Sequence, residues 1–308
     1  MDCMNKKVTV IGAGRVGSTT AHLIALKGLA DVVIINRTEG IAKGIALDIQ
    51  EAMPSEGMDA RVSAGSDYGL MEGSDIVVMT AGAQRKEGMS RDDLLKVNAS
   101  IVTGAGNAIK QYAPNSVVIV VTNPLDAMAY LMGKVTGFGR GRVIGMAGAL
   151  DSSRLNAFLA IEAGCSVKDV NSMVLGSHGD SMVAALSVTT VKGASAAGSV
   201  APDRLASIVS RTREAGAEII KLEGSSAFYA PASAVVSMVE AVLKDTKRVI
   251  PCSTQLKGEY GISDVYVGVP AVLGKNGVEK VVQIALTDGE KAAFEASAKA
   301  ISESISRL

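Results

Sequence analysis

Short runs of consecutive apolar residues, rich in β-branched types, punctuate the first half of the chain: KVTVIGAG (7–14), DVVIIN (31–36), SDIVVMTAG (74–82) and SVVIVVTNP (116–124). Such runs read as strands covered on both faces. Between them, GSTTAHLIALKG (17–28), GIAKGIALDIQEAM (40–53) and SRDDLLKVNASIVTGAGNAIKQY (90–112) repeat their apolar positions every three or four residues, the spacing of amphipathic helices. Buried strands alternating with helices imply a parallel sheet with right-handed crossovers.

The pattern changes near residue 148. ALDSSRLNAFLAIEAG (149–164) reads as a helix, VNSMVLGSHGD (170–180) as a strand ending in a turn, and KGASAAGSVAP (192–202) as a small-residue loop. Two helical stretches follow, 203–224 and 230–245. Strand-like runs then cover 248–256, 264–274 and 278–286, the last two joined by the turn GKNG. A helix closes the chain from about Asp288. No internal repeat and no long linker interrupts it. The expected architecture is α/β: a doubly wound parallel sheet over residues 1–148, followed by a mixed α/β substrate-binding domain over 149–308.

Composition narrows the function classes. Of 308 residues, 48% are hydrophobic and 20% charged, and mean hydropathy is +0.29, which suits a packed core rather than a disordered chain. Lys plus Arg equals Asp plus Glu at 31 each, so no charge excess points to nucleic acid or a membrane surface. Cys3, Cys165 and Cys252 are scattered, without a CxxC pair. A disulfide framework and a zinc site are therefore not expected. The N-terminal stretch lacks a signal-like apolar segment with a cleavage site, and no apolar run reaches spanning length. A cytoplasmic protein without bound metal is the expectation.

Gly12, Gly14 and Gly17 form G-x-G-x-x-G between the first strand and the first helix, the context that marks a Rossmann dinucleotide site. The first glycine allows the tight turn, the second a close approach to pyrophosphate, and the third close helix–strand packing. Arg15 and Val16 complete the loop as candidate cofactor contacts. An acidic residue ordinarily ends the second strand of such a unit. Here Asn36 stands 19 residues beyond Gly17, followed by Arg37. The amide removes a carboxylate that would repel a 2′-phosphate, and the arginine offers a charged donor. A solvated Arg37 is the bland alternative.

Several separated motifs then fall in a familiar order: AGAQRKEGMSRDDLLKVN (81–98), VVTNPLD (120–126), LDSSR (150–154), GSHGD (176–180), GSSAFYAP (224–231) and LKGEYGISDVYVGVP (256–270). Together they resemble the lactate/malate dehydrogenase superfamily, and most closely its lactate-dehydrogenase-like malate dehydrogenases. The resemblance spans nearly the whole chain. It implies reversible hydride transfer between a small 2-hydroxy acid and a nicotinamide cofactor, in a homo-oligomer, dimer or tetramer.

The resemblance assigns roles residue by residue. His178 matches the catalytic base, and an imidazole can take a hydroxyl proton near neutral pH. The other histidine, His22, reads as packing or surface. Asp151 matches the carboxylate that orients the imidazole, although it could also only cap a helix. Arg154, three residues on, matches the guanidinium that grips the substrate's C1 carboxylate. Arg91 matches the loop arginine that polarises the reacting carbonyl. Arg85 stands where malate enzymes carry arginine for the second carboxylate and lactate enzymes a neutral residue. Met89 supports that choice, since lactate enzymes often place an acid there. Asn123 matches a residue touching both substrate and nicotinamide, and Asn98 and Val121 match positions near the cofactor. Two prolines common in close relatives are absent, at Glu87 and Ala184.

The leading expectation is a malate dehydrogenase using NAD or NADP, with NADP acceptance suggested by Asn36 and Arg37. The alternatives are a lactate or other 2-hydroxy-acid dehydrogenase and a non-catalytic dinucleotide-binding protein on the same scaffold.

Overall fold

A computed structural model describes residues 6–83 and 90–308, with Arg91 described by its main chain only. Six short strands build the first half: β1 (Lys7–Ile11), β2 (Asp31–Ile35), β3 (Val62–Gly65), β4 (Ile76–Met79), β5 (Val117–Val120) and β6 (Val143–Gly145). They pair in parallel in the order β3-β2-β1-β4-β5-β6. This is the doubly wound order whose switch point, between β1 and β4, opens a crevice at the strands' carboxyl ends. The strands carry apolar residues throughout because both faces are covered. Val8, Val10, Ile34, Ile76, Val78 and Ile119 face one cluster, and Ile11, Val33, Ile35, Val77, Met79 and Val118 face the other. Each such side chain contributes about 1.5–3 kcal/mol on burial, so a polar substitution on either face would be costly.

The connecting helices are α1 (Arg15–Leu26), α2 (Glu39–Glu56), α3 (Arg91–Tyr112) and α4 (Leu125–Thr136), and α5 (Ala147–Ala163) leads into the second half. There the described strands are β7 (Val170–Asn171), β8 (Val174–Gly176), β9 (Met182–Ala184), β10 (Thr190–Val191), β11 (Ala194–Ser195), β12 (Arg248–Lys257), β13 (Ser263–Gly274) and β14 (Gly277–Val281). The helices are α6 (Ala196–Ser199), α7 (Pro202–Glu223), α8 (Tyr229–Leu243) and α9 (Asp288–Ile305). The antiparallel pair β12–β13 continues the sheet beyond β6, with Ser253 opposite Gly145, and β8 and β9 extend it further. The second half thus shares a sheet with the first. It also covers one face of it: Val235, Val236 and Val239 of α8 join the cluster containing Ile24 of α1.

The expected class, a Rossmann sheet followed by a mixed α/β half, is what the chain forms. Local expectations differ in places. The apolar pattern of the sequence marks no element at β3, β6 or α4. The run 170–180 divides into β7 and β8, because Ser172 is tied to Ser152 of α5, and Val174 N–H bonds Ser152 Oγ at 3.0 Å. The small-residue loop 192–202 contains β11 and α6, and the last strand ends at Val281.

Candidate active site

The glycine loop joins β1 to α1. Gly12 has φ +110, and a Cβ there would lie 2.7 Å from Thr80 Oγ1 and from the Ala81 nitrogen. A Cβ on Gly17 would collide with the Gly12 carbonyl oxygen. Both glycines therefore serve the tight packing of loop against sheet. Gly14 is different: its φ of −77 suits any residue, and a Cβ would meet nothing within 4 Å. The space beside Gly14 is open, at the N-cap of a helix without a side-chain cap or a first-turn acid. Unpaired N–H groups and a positive helix end facing open space fit a diphosphate.

Around this cradle the other candidates divide into free and engaged. The Arg15 guanidinium reaches the second half: it pairs with Glu223 at 2.5 Å, bonds the Ser225 hydroxyl and lies 3.9 Å over the Phe228 ring. Val16 is half-buried. Asn36, just beyond β2, is spent locally: Oδ1 accepts the Ala13 N–H at 3.3 Å and Nδ2 donates to the Thr38 carbonyl at 3.1 Å. It stitches the glycine loop to the β2–α2 turn. Arg37 is exposed and makes no ion pair among the described residues. At the far side of the crevice Asn98, buried on α3, gathers two loops. Its Oδ1 accepts the Ala83 N–H at 2.7 Å, and its Nδ2 donates to the carbonyls of Asn123, at 2.7 Å, and Ala83, at 3.2 Å. Val121 is half-buried and Asn123 exposed at the end of β5. Asn98 thereby fixes the main chain that presents Asn123.

The imidazole lies in the turn between β8 and β9. Its Nδ1 is 2.9 Å from Asp151 Oδ2, across 27 residues of sequence. Asp151 is 2% exposed in α5, and its other oxygen lies 3.4 Å from Arg154 Nη1, one turn along the same helix. With Nδ1 carrying a proton toward the carboxylate, Nε2 is left as acceptor. Burial works against a charged His178, but the charge and hydrogen bond of Asp151 outweigh it and raise the imidazole's pKa. Burial lowers the Arg154 pKa, with Asp151 acting the other way. The Arg154 Nε is buried and has no hydrogen-bond partner among the described residues. A buried guanidinium N–H without an acceptor fits an anionic ligand.

Arg85, Met89 and Glu87 lie outside the described residues, as does the side chain of Arg91. His22 sits half-buried on α1. Two residues that the sequence reading did not single out also enter the site. Asp126, in the first turn of α4, accepts the His178 main-chain N–H at 3.1 Å. Ser297 of α9 accepts that of Ser177 at 2.8 Å. The only signal for Asp126 was its place in the VVTNPLD motif, and nothing local pointed to Ser297. Among the described residues no group of three or more His, Cys, Asp or Glu is arranged to hold a metal, and no helix is long and apolar enough to cross a membrane.

A doubly wound sheet, an open glycine cradle at its switch point and a buried imidazole–carboxylate pair across the crevice define a class, the dehydrogenases that bind a nicotinamide dinucleotide. Comparison with known proteins gives the family. Residues 6–145 match the lactate/malate dehydrogenase NAD binding domain, and residues 148–308 match the lactate/malate dehydrogenase alpha/beta C-terminal domain. The chain is 49% identical over 306 residues to the malate dehydrogenase of Roseiflexus sp. (strain RS-1), covering 99% of each. Its fold is similar to the crystal structure of Cryptosporidium parvum malate dehydrogenase, with TM-score 0.95, 41% identity and 99% of each chain covered. It is also similar to the lactate dehydrogenase of the same organism, solved with lactic acid and β-nicotinamide adenine dinucleotide: TM-score 0.95, 39% identity, 98% of this chain and 97% of that one. The chain belongs to the lactate/malate dehydrogenase family.

Proposed function

We propose that this chain is a malate dehydrogenase, interconverting (S)-malate and oxaloacetate. The observation that carries the reading is the buried His178–Asp151–Arg154 grouping, with distances of 2.9 and 3.4 Å and an unpartnered Arg154 Nε. The relatives named malate dehydrogenase support the choice of substrate.

In malate oxidation His178 Nε2 takes the proton of the C2 hydroxyl, and Asp151 stabilises the imidazolium that forms. Arg154 binds the C1 carboxylate through its fork of N–H donors, which fixes C2 relative to the base. Arg85 pairs with the C4 carboxylate, Arg91 stabilises the developing carbonyl oxygen, and Asn123 hydrogen-bonds the substrate. Gly12, Gly14 and Gly17 at the α1 N-terminus would hold the nicotinamide dinucleotide, which when bound would supply the hydride acceptor in oxidation and the donor in reduction. In reduction His178 begins protonated and returns the proton to C2 oxygen.

Arg85 sets the substrate in this reading. An unpaired cation facing the methyl of pyruvate in a closed site is costly, so pyruvate is rejected. Arg85→Gln is expected to lower kcat/KM for oxaloacetate and raise the pyruvate-to-oxaloacetate ratio. An unchanged ratio would remove Arg85 from the role and favour a broader 2-hydroxy-acid dehydrogenase.

The enzyme accepts NADPH as well as NADH. Supporting this, position 36 holds an amide that is already committed to Ala13 and Thr38, and the exposed Arg37 beside it has no ion pair among the described residues. Arg37→Ala is expected to lower kcat/KM for NADPH selectively. A strong NADH preference unaltered by the substitution would contradict it. A homo-oligomer, dimer or tetramer, working in the cytoplasm belongs to the same reading, and sedimentation of the purified protein tests its assembly.

A further inference from the structure

The turn that carries His178 is held from outside. Gly179, next in sequence, has φ +146, so the chain reverses there through a conformation that a glycine permits and does not impose. Two successive main-chain N–H groups are pinned by buried side chains from two different elements. Ser177 N–H bonds Ser297 Oγ on α9 at 2.8 Å, and His178 N–H bonds Asp126 Oδ2 on α4 at 3.1 Å. Ser297 is fully buried and Asp126 is 5% exposed.

Asp126 is an unusual choice for this place. Its Oδ1 is buried beside the Ser253 and Ser177 hydroxyls, and no lysine or arginine pairs with the carboxyl among the described residues. Burying a carboxyl away from any countercharge is costly. The first turn of α4 offsets part of that cost through the helix dipole. Burial pushes the Asp126 carboxyl up, against the Ser253 hydroxyl, the His178 N–H, the charge of His178 and the Ser177 hydroxyl. Among the described residues the charged groups bearing on His178 are Asp151 and Arg154 of α5 and Asp126 of α4. Asp126 follows Asn123 by three residues, so one short segment touches both the substrate-facing strand end and the main chain of the base.

We propose that Asp126 is a positioning residue for His178: by accepting the His178 main-chain N–H it fixes the turn so that Nδ1 meets Asp151 and Nε2 faces the substrate. This rests on His178 being the base. The bond spans the two halves, from the Rossmann helix α4 to the β8–β9 turn of the second half. It therefore sets the imidazole relative to the elements that hold cofactor and substrate. Loss of the acceptor lets the turn shift, and a shift of about 1 Å at a reacting group can cost about 100-fold in rate.

The test compares Asp126→Ala, Asp126→Asn and Asp126→Glu with His178→Asn, in full-length protein, for oxaloacetate reduction by NADH. The reading of His178 predicts at least about a 1,000-fold loss in kcat for His178→Asn, in line with base and orientation effects together. An active His178→Asn would overturn that reading. With it inactive, the proposal stands on the Asp126 variants. Asp126→Asn keeps an acceptor at the same reach and is expected to hold kcat within about threefold. Asp126→Ala is expected to lose about tenfold or more in kcat, with KM for NADH within about twofold and a larger isotope effect with 4-deuterated NADH. Asp126→Glu keeps the carboxyl group, displaces the oxygen by one methylene and is expected to lose kcat similarly. The Asn and Glu pair carries the test if Asp126→Ala does not fold. Full kcat in Asp126→Glu, or an equal loss in Asp126→Asn and Asp126→Ala, would overturn the proposal.

Discussion

Asp151→Asn separates the charge beside His178 from its shape. The pair is 2.9 Å apart and Asp151 is 2% exposed, so solvent screens it little. A hydrogen bond to a charged partner contributes about 1.5–3 kcal/mol, which corresponds to roughly 10- to 150-fold in rate. The imidazolium exists only once the alcohol proton has moved, so the loss falls on kcat more than on substrate binding. A second effect adds to it. The Asn amide can present its NH2 group to Nδ1, which places the ring proton on Nε2, where the acceptor must be free. The expected loss in kcat for malate oxidation is therefore at least about 100-fold.

The pH profile gives the sign. Asp151 favours protonated His178 against the effect of burial. Without that charge burial prevails, and the pKa falls. Oxaloacetate reduction needs the imidazolium, so its rate is full at low pH and lost as pH rises through that pKa. In Asp151→Asn the loss comes at lower pH. Malate oxidation needs neutral imidazole, and its rise also moves to lower pH. The assay is kcat/KM in both directions by NADH absorbance across the pH range. A kcat within about threefold of the parent, or a profile displaced to higher pH, would refute the pairing.

Gly17→Ala and Gly14→Ala should part company. The first puts a methyl on the Gly12 carbonyl oxygen and should lower Tm and weaken dinucleotide binding together, whereas the second meets open space and should keep Tm while raising KM for NADH. Scanning calorimetry and steady-state kinetics separate the two. Arg154→Lys replaces a planar fork by a point charge and should raise KM for oxaloacetate by about 10-fold or more, the equivalent of one charged hydrogen bond. Unchanged kinetics would remove Arg154 from the substrate. Cys252 is fully buried and its thiol is pushed up to about 12, so a thiol reagent at pH 8 should leave it unmodified until the protein is unfolded. Peptide mapping checks this.

The sequence carried the sheet's central strands plainly, because β1, β2, β4 and β5 are apolar at nearly every position. It hid β3, where Val62 and Ala64 are half-buried and Ser63 is exposed at the sheet's edge, and β6, only three residues long. Helix α4 buries Leu125, Ala127, Met128, Ala129 and Met132 on several sides, so its apolar positions leave no clean stripe to read. At the site, His178, Asp151 and Arg154 were legible because their motifs are distinctive, and their tertiary meeting follows from α5 packing under β8. Asp126 and Ser297 were not. Both act on main-chain N–H groups 52 and 120 residues away in sequence, and a main-chain partner leaves no residue type to recognise. Arg15 shows the converse: a residue placed in the cofactor loop by motif has a side chain held by Glu223, Ser225 and Phe228 of the second half.

The substrate is the centre of the account, and one comparison tests it most directly: kcat/KM of the unaltered enzyme for oxaloacetate and for pyruvate, at saturating NADH and one pH. With Arg85 paired to a second carboxylate, oxaloacetate should be preferred by more than about 100-fold, or about 2.7 kcal/mol of transition-state stabilisation. Pyruvate turnover equal to or faster than that of oxaloacetate would contradict it.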